Sequence, residues 1–275
     1  MNKMKYKCEI AFEANKRNDI CKNAVKPMED YHIFDDKNNI FIVFDGVTRP
    51  HEEYSKKNSS AYEVSELFCN ELYKNLLNIC INDSIENIKK QIYNSAKKAN
   101  EKVAIYNEVN KDLLFLPGTL GVMSMIINKK LYFGCIGDSF GTLLRDNLRI
   151  MFAEPQTFNY NIIFNNKVKK KELCTRDEKK IFQYNQVNHP DQKYSYGVIN
   201  GDINAMDFFT VSHIDLYDDD VIILASDGLY SYINSTKVSE IKKLSANNII
   251  ESSVPYDSPP YNKYADDKTI IKIYI

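Results

Sequence analysis

Apolar and polar positions alternate tolerably over Tyr6–Ala14, which predicts a strand, and then give way to a polar, basic stretch at Asn15–Pro27. Tyr31–Phe34 and Ile40–Phe44 flank Asp35-Asp36-Lys37-Asn38-Asn39, a turn-rich segment that predicts a hairpin. The apolar run Phe41-Ile42-Val43-Phe44 stops at Asp45-Gly46, so a carboxylate is expected where a buried strand reaches the surface. Beyond the polar stretch Val47–Asn58 the period lengthens to the helical one. Val64, Leu67, Phe68, Leu72 and Leu76 fall on one face behind Ser60-Ala61-Tyr62-Glu63, which reads as a capping box. A second helix opens at Asp83-Ser84-Ile85-Glu86 and keeps Ile85, Ile88, Ile92, Ala96, Ala99 and Val103 on one face, ending near Asn110.

The short period then returns. Thr119–Ile127 and Leu131–Ile136 read as strands around Asn128-Lys129-Lys130, and Gly141–Arg145 and Leu148–Phe152 as strands around Asp146-Asn147. The four together predict an antiparallel meander. From Pro155 to Ala205 the pattern breaks into polar and basic segments with scattered aromatics, including Lys167–Lys171, and is read as a flap-like insertion outside the core. Strands resume at Phe208–His213 and Val221–Ala225. Short helices follow around Leu229–Ile233, Lys237–Leu244 and Ala246–Ser253, then a Pro- and Tyr-rich loop, Val254–Tyr264, and a last strand, Thr269–Ile275. Many strands with two long helices grouped early argue against a βαβ parallel sheet. An α+β fold is expected: a two-layer antiparallel β-sandwich flanked by helices (α-β-β-α), as one domain over residues 1–275 with the insertion at 155–205.

Composition narrows the class. Hydrophobic residues make up 44% of the 275, enough for a sizeable core. Lys and Arg number 36 against 37 Asp and Glu, so no global field favours nucleic acid or an anionic membrane as a partner. The first residues lack the apolar stretch of a signal peptide, and no apolar run approaches the roughly 20 residues that span a bilayer. Six cysteines show no CxxC spacing and several sit inside apolar runs, as Cys135 does. They are read as buried free thiols of a cytoplasmic protein.

The candidate chemistry is acidic. Asp45-Gly46 and Asp227-Gly228 each follow an apolar run, and Asp-Gly there is ordinarily a hairpin turn. Neither is followed by a return strand: Val47–Lys57 is polar and Leu229–Ile233 looks helical. Asp138 in Ile136-Gly137-Asp138-Ser139 and the pair Asp266-Asp267 are ordinary solvated turns when taken alone. Four acidic turns capping core strands can converge at one end of a sandwich, where like charges would demand a cation. With oxygen donors and no His or Cys pattern beside them, the cation expected is Mg²⁺ or Mn²⁺ rather than zinc.

These residues resemble, in order, the motifs of the metal-dependent (PPM, type 2C) serine/threonine protein phosphatases. Met28-Glu29-Asp30 resembles the family's early Glu-Asp motif, and FIVFDGV its Val-Phe-Asp-Gly strand end. Gly118-Thr119 followed by LYFGCIGDS is similar to its Gly-Ser/Thr strand and Gly-Asp-Ser turn. VIILASDGLY is similar to its Leu-Ala-Ser-Asp-Gly-Leu motif, and Ala265-Asp266-Asp267-Lys268-Thr269 to its closing Asp-Asn/Asp-x-Thr/Ser. The resemblance implies a binuclear metal centre at one end of the sandwich and hydrolysis of phosphoserine or phosphothreonine. A hydroxide bridging two Mn²⁺ or Mg²⁺ ions would attack phosphorus in line, with no covalent enzyme intermediate. By position, Asp45 would bridge the ions and the Gly46 carbonyl would help hold one. Asp227 and Asp266 would complete the other's ligands, and Glu29 and Asp30 would act through waters or from behind the ligands. Asp138 with Asp227 matches a weaker third-metal site.

Three positions depart from the family pattern. Val47 stands where many members carry a His proposed to protonate the leaving group, and His51 is the nearest histidine. The phosphate-binding Arg falls opposite Val25, which leaves Lys26 beside it as a point charge without the Arg fork, and Arg49 as another candidate. The usual Gly-Asp-Ser-Arg ends in Phe140. The implied partners are a phosphoprotein substrate and a cognate serine/threonine kinase. The Lys-, Asn- and Ile-rich composition suggests a stand-alone enzyme of an AT-rich bacterial genome. The alternatives are a pseudophosphatase that binds a phosphoprotein without turnover, which the missing His and Arg favour, and an interaction domain whose acidic turns are all solvated.

Overall fold

The computed structural model describes residues 6–14, 28–47, 59–110, 116–256 and 266–275. Within these, two five-stranded sheets stack on each other, every strand pairing antiparallel. One sheet has the order β1 (Lys7–Glu13), β10 (Lys268–Tyr274), β9 (Val221–Ala225), β6 (Phe140–Arg145), β7 (Leu148–Ala153). The other has β2 (Tyr31–Asp35), β3 (Ile40–Val47), β4 (Gly118–Ile127), β5 (Lys130–Ile136), β8 (Thr210–Asp215). Helices α1 (Ser60–Leu76) and α2 (Ile85–Asn107) lie on the second sheet. Helices α5 (Tyr230–Ser235), α6 (Val238–Lys243) and α7 (Ala246–Ser253) lie on the first. No described helix is long and apolar enough to cross a membrane.

This layering explains why the central strands are apolar without alternation. In β3, Phe41 and Val43 point between the sheets, while Ile40, Ile42 and Phe44 point at α1 and α2. In β9, Ile222 and Leu224 face the sandwich and Val221, Ile223 and Ala225 face the helices. A strand covered on both faces has no solvent side to be polar. Full burial of a side chain such as Phe41 or Phe44 contributes about 1.5–3 kcal/mol each.

Several expected boundaries move. The cap of α1 is Ser59, whose hydroxyl accepts from the Tyr62 amide at 3.1 Å. Glu63 does not complete a box with Ser60; its carboxylate accepts from the Tyr106 hydroxyl of α2. Ser84 caps α2 as expected. The meander is split: β4 and β5 pair through Asn128 and Lys129, both at positive φ as a tight hairpin requires, but β6 and β7 belong to the other sheet. The chain therefore changes sheets in the Gly137–Ser139 turn. The 155–205 stretch contains α3 (Phe158–Lys169) and α4 (Arg176–Tyr184), and its C-terminal part is not outside the core. Ile199 exchanges backbone hydrogen bonds with Thr119 at 2.8 and 2.9 Å, and Ile199 and Ala205 are fully buried under α2. Of the cysteines, Cys69 and Cys135 are buried, but Cys80 and Cys174 are exposed and Cys8 is half-buried. The expected loop at Asn15–Pro27 and most of those at Val47–Asn58 and Val254–Tyr264 lie outside the described residues.

Lys272 of β10 is fully buried on the helix side of its sheet. Its ammonium donates to the carbonyls of Ile241, Lys242 and Leu244 at 2.8, 3.0 and 2.5 Å, at the C-terminus of α6, where carbonyls lack intrahelical partners. Lys272→Met should strand those acceptors and lower the unfolding free energy by about 1–3 kcal/mol in urea titrations. An unchanged midpoint would show that the contact contributes nothing.

Candidate metal centre

The strand registers bring four acidic turns to one end of the sandwich. Asp45 pairs with Leu120 near the start of β4, and the next residue of β4, Gly121, pairs with Ile136 at the end of β5. Asp138 follows in the turn to β6. That strand begins at Phe140, opposite Ala225, the last residue of β9, with Asp227 two positions beyond. Ala225 pairs in turn with Ile270 of β10, so Asp266, just before β10, reaches the same edge. Because β3 continues to Val47 rather than stopping at Asp45, side-chain parity applies: Asp45 falls on the side of Phe41 and Val43, between the sheets.

Asp45, Asp138 and Asp227 each offer a carboxylate oxygen, and the three oxygens lie within 4.8 Å of one another. Burial, then the charges of Asp30, Asp227, Asp266 and Asp138, holds the Asp45 carboxyl well above the ordinary range. Burial and then Asp266 push Asp138 up to about 7. Asp30 is also pushed up to about 7, by burial and by Asp267, against the opposing hydrogen bond from the Thr269 hydroxyl at 2.7 Å. The Asp138 Oδ1 atom is buried with no hydrogen-bond partner among the described residues. Converging hard oxygens, like charge and an orphaned buried acceptor fit a divalent cation such as Mg²⁺ or Mn²⁺.

The supporting residues are stitched together by backbone and side-chain bonds. The Glu29 amide donates to Asp267 Oδ2 at 2.8 Å, and its carbonyl accepts from the Gly46 amide at 3.1 Å. Glu29 and Asp30 are buried beside the cluster but do not join its three carboxylates within the same spacing. Gly137, at φ 83°, makes the turn that presents Asp138, and a Cβ on Gly228 would run into the Asp267 carbonyl. Thr119 donates to the Asp45 carbonyl at 2.8 Å and accepts from Ser65 of α1 at 2.9 Å. Ser226 Oγ accepts from the Thr269 amide at 2.9 Å, locking β9 to β10 beside Asp227. Neither Ser65 nor Ser226 is among the expected site residues; Ser226 lies in the motif around Asp227, and Ser65 shows in the residues only as a serine inside the apolar face of α1. Val47 packs against the Leu120 cluster. Val25, Lys26, Arg49 and His51 lie outside the described residues.

No protein-family model and no curated protein matches the chain. Solved structures do. The Mycobacterium tuberculosis serine/threonine phosphatase PstP/Ppp superposes with a TM-score of 0.65 at 16% identity, covering 98% of each chain. The PstP catalytic domain in complex with 2 manganese ions gives 0.60 at 16%, covering 98% of this chain and 97% of that one. The PPM Ser-Thr phosphatase MsPP from Mycobacterium smegmatis gives 0.58 at 15%, covering 98% of each. The fold is that of the PPM phosphatases. At these identities the likeness concerns the fold, and the PPM sandwich is the frame in which the acidic cluster sits.

The raised carboxyls make stability pH-dependent in a stated direction. Groups that hold protons more tightly folded than unfolded stabilise the fold below the ordinary carboxylate range near 4 and lose that contribution as pH rises through about 7. In chelator, the melting temperature should fall between pH 5 and pH 8. Mn²⁺ at a hundredfold excess over its dissociation constant should restore about 2.7 kcal/mol at pH 8. A pH-independent melting temperature that ignores Mn²⁺ would contradict this.

Proposed function

We propose that the protein hydrolyses phosphoserine and phosphothreonine in proteins, using two Mn²⁺ or Mg²⁺ ions with a third at a weaker site. The observation that carries this is the convergence of Asp45, Asp138 and Asp227 within 4.8 Å at the end of a PPM sandwich. That a PstP catalytic domain of the same fold is described with 2 manganese ions supports the two-ion reading. When bound, such ions supply Lewis acidity toward a phosphoryl oxygen and an activated water at neutral pH.

The chain's residues take the following parts. Asp45 would hold both ions, with the Gly46 carbonyl as a further oxygen donor. Asp227, after β9, and Asp266, before β10, would hold the second ion, and Asp138 with Asp227 would form the weaker site. Glu29 and Asp30 act from behind, Asp30 orienting through Thr269. Lys26 supplies a point charge to the phosphate. Water attacks phosphorus in line and the ester bond breaks. Val47 has no proton to give the departing alkoxide, so that proton comes from solvent. The substrate is a phosphoprotein, with a serine/threonine kinase as the opposing activity in signalling. With Lys and Arg balanced by Asp and Glu, neither nucleic acid nor a membrane is among the proposed partners, and the proposed location is the cytoplasm.

Val47 also favours a second reading, a pseudophosphatase that binds phosphoproteins without turnover. Hydrolysis of an aryl phosphate and a phosphothreonine peptide, with Mn²⁺ and with chelator, separates the two. Asp45→Asn should lower kcat/KM by more than about a hundredfold, beyond the usual effect of an outer-shell change. Its metal-free melting temperature should stay level or rise, since the substitution removes a carboxylate repelled by four neighbours. Mn²⁺-dependent turnover that survives Asp45→Asn would sink the assignment. Tight metal binding with no turnover in the unsubstituted protein would establish the second reading.

A further inference from the structure

A cleft of about 190 Å³ opens from the acidic cluster. It is lined by Asp138 and Asp227, by Pro155, Phe158 and Asn161 at the start of α3, and by Tyr230 of α5. Phe158 is nevertheless 63% exposed, and Ile162 one turn later is 45% exposed. Neither is required for packing α3. Its opposite side, Tyr160 and Phe164, stacks with Phe182 and Tyr196 over Leu120 and Val198. At 100° per residue, Phe158, Ile162, Asn165 and Lys169 fall within roughly 60° of arc, a single stripe. Lys170 and Lys171, both exposed, lie past the end of α3 and off this stripe, while Lys167 is engaged with Glu172. The stripe therefore begins apolar at the acidic cluster and ends basic.

We propose that this stripe is the docking track for the substrate chain, an inference that rests on the phosphatase reading. The phosphorylated residue enters the cluster, an adjacent apolar side chain packs on Phe158 and Ile162, and an acidic side chain farther along pairs with Lys169. From Phe158 to Lys169 the helix rises about 16 Å, which an extended peptide covers in about five residues. The substrate class is thus a phosphosegment with an apolar residue beside the phosphoresidue and an acidic residue about five residues beyond it. Continuity of the track with the cleft, and the charge complementarity of its far end, favour this occupant over a second copy of the chain.

The test uses three phosphothreonine peptides: one with an adjacent Leu and a distal Glu, one with that Leu replaced by Ser, and one with that Glu replaced by Lys. The Glu is placed on either side of the phosphothreonine in turn. Each is followed by kcat/KM and by fluorescence anisotropy of the labelled peptide, with an aryl phosphate as reference. The unsubstituted protein should prefer the first peptide over either other by about tenfold in both readouts. Phe158→Ser should erase the Leu preference and keep the Glu preference. Lys169→Glu should do the reverse, a reciprocal pattern that misfolding cannot produce. Aryl phosphate turnover with equal treatment of all peptides overturns the docking track alone, as does a concentration-dependent dimer lost in Phe158→Ser. The same ranking in anisotropy without turnover supports the track and overturns the catalytic reading instead.

Discussion

Asp45, Asp138 and Asp227, each partly exposed, hold carboxylate oxygens within 4.8 Å of one another, and the surrounding structure is arranged to keep them there. Asp45 is carried by β3, Asp138 by the turn before β6, and Asp227 by the turn after β9. The strands leading to Asp45 and Asp227 are buried on both faces, one between a helix pair and the opposite sheet, the other between the sandwich and the last three helices. Slipping either strand by one residue would exchange its two apolar faces and turn the carboxylate away. The hydrophobic packing thus holds the charges in register, and the charges return a cost that a divalent cation removes.

Backbone hydrogen bonding closes the end of the sandwich. Glu29 links Gly46 of β3 to Asp267 before β10, and the Asp30–Thr269 bond lies beside it. Thr119 and Ser65 tie the Asp45 carbonyl to α1. The two sheets are therefore joined at this end by polar groups as well as by the core. A displacement of one sheet against the other would be felt first at the carboxylates.

Much of this was legible in the residues. The long apolar periods of α1 and α2, the strand ends at Asp45 and Asp227, and the stacking of two antiparallel sheets all follow from local pattern. What local pattern does not carry is which strands pair. β5 and β6 are consecutive and short-linked, like any hairpin, and only the strand pairing, with Gly137 at positive φ against Leu120, shows the chain passing between sheets. Ile199 and Ala205 were obscured by the polar segments around them, since two buried residues in a long irregular stretch have no period. Ser60 is expected as the cap because only it has a Glu three residues on; the helix instead starts one residue earlier, with Ser59 accepting from the Tyr62 amide. The cleft beside α3 had no signal in the residues at all: it joins side chains from three separate segments.

The central claim is that the carboxylates converge because they share a divalent cation. Anomalous diffraction at the manganese edge, from crystals grown with Mn²⁺, tests it directly. The account expects two strong peaks within coordination distance of Asp45, one also bound by Asp227, and a weaker peak toward Asp138. Crystals that hold no manganese there, with the three carboxylates spread apart into solvent, would contradict it.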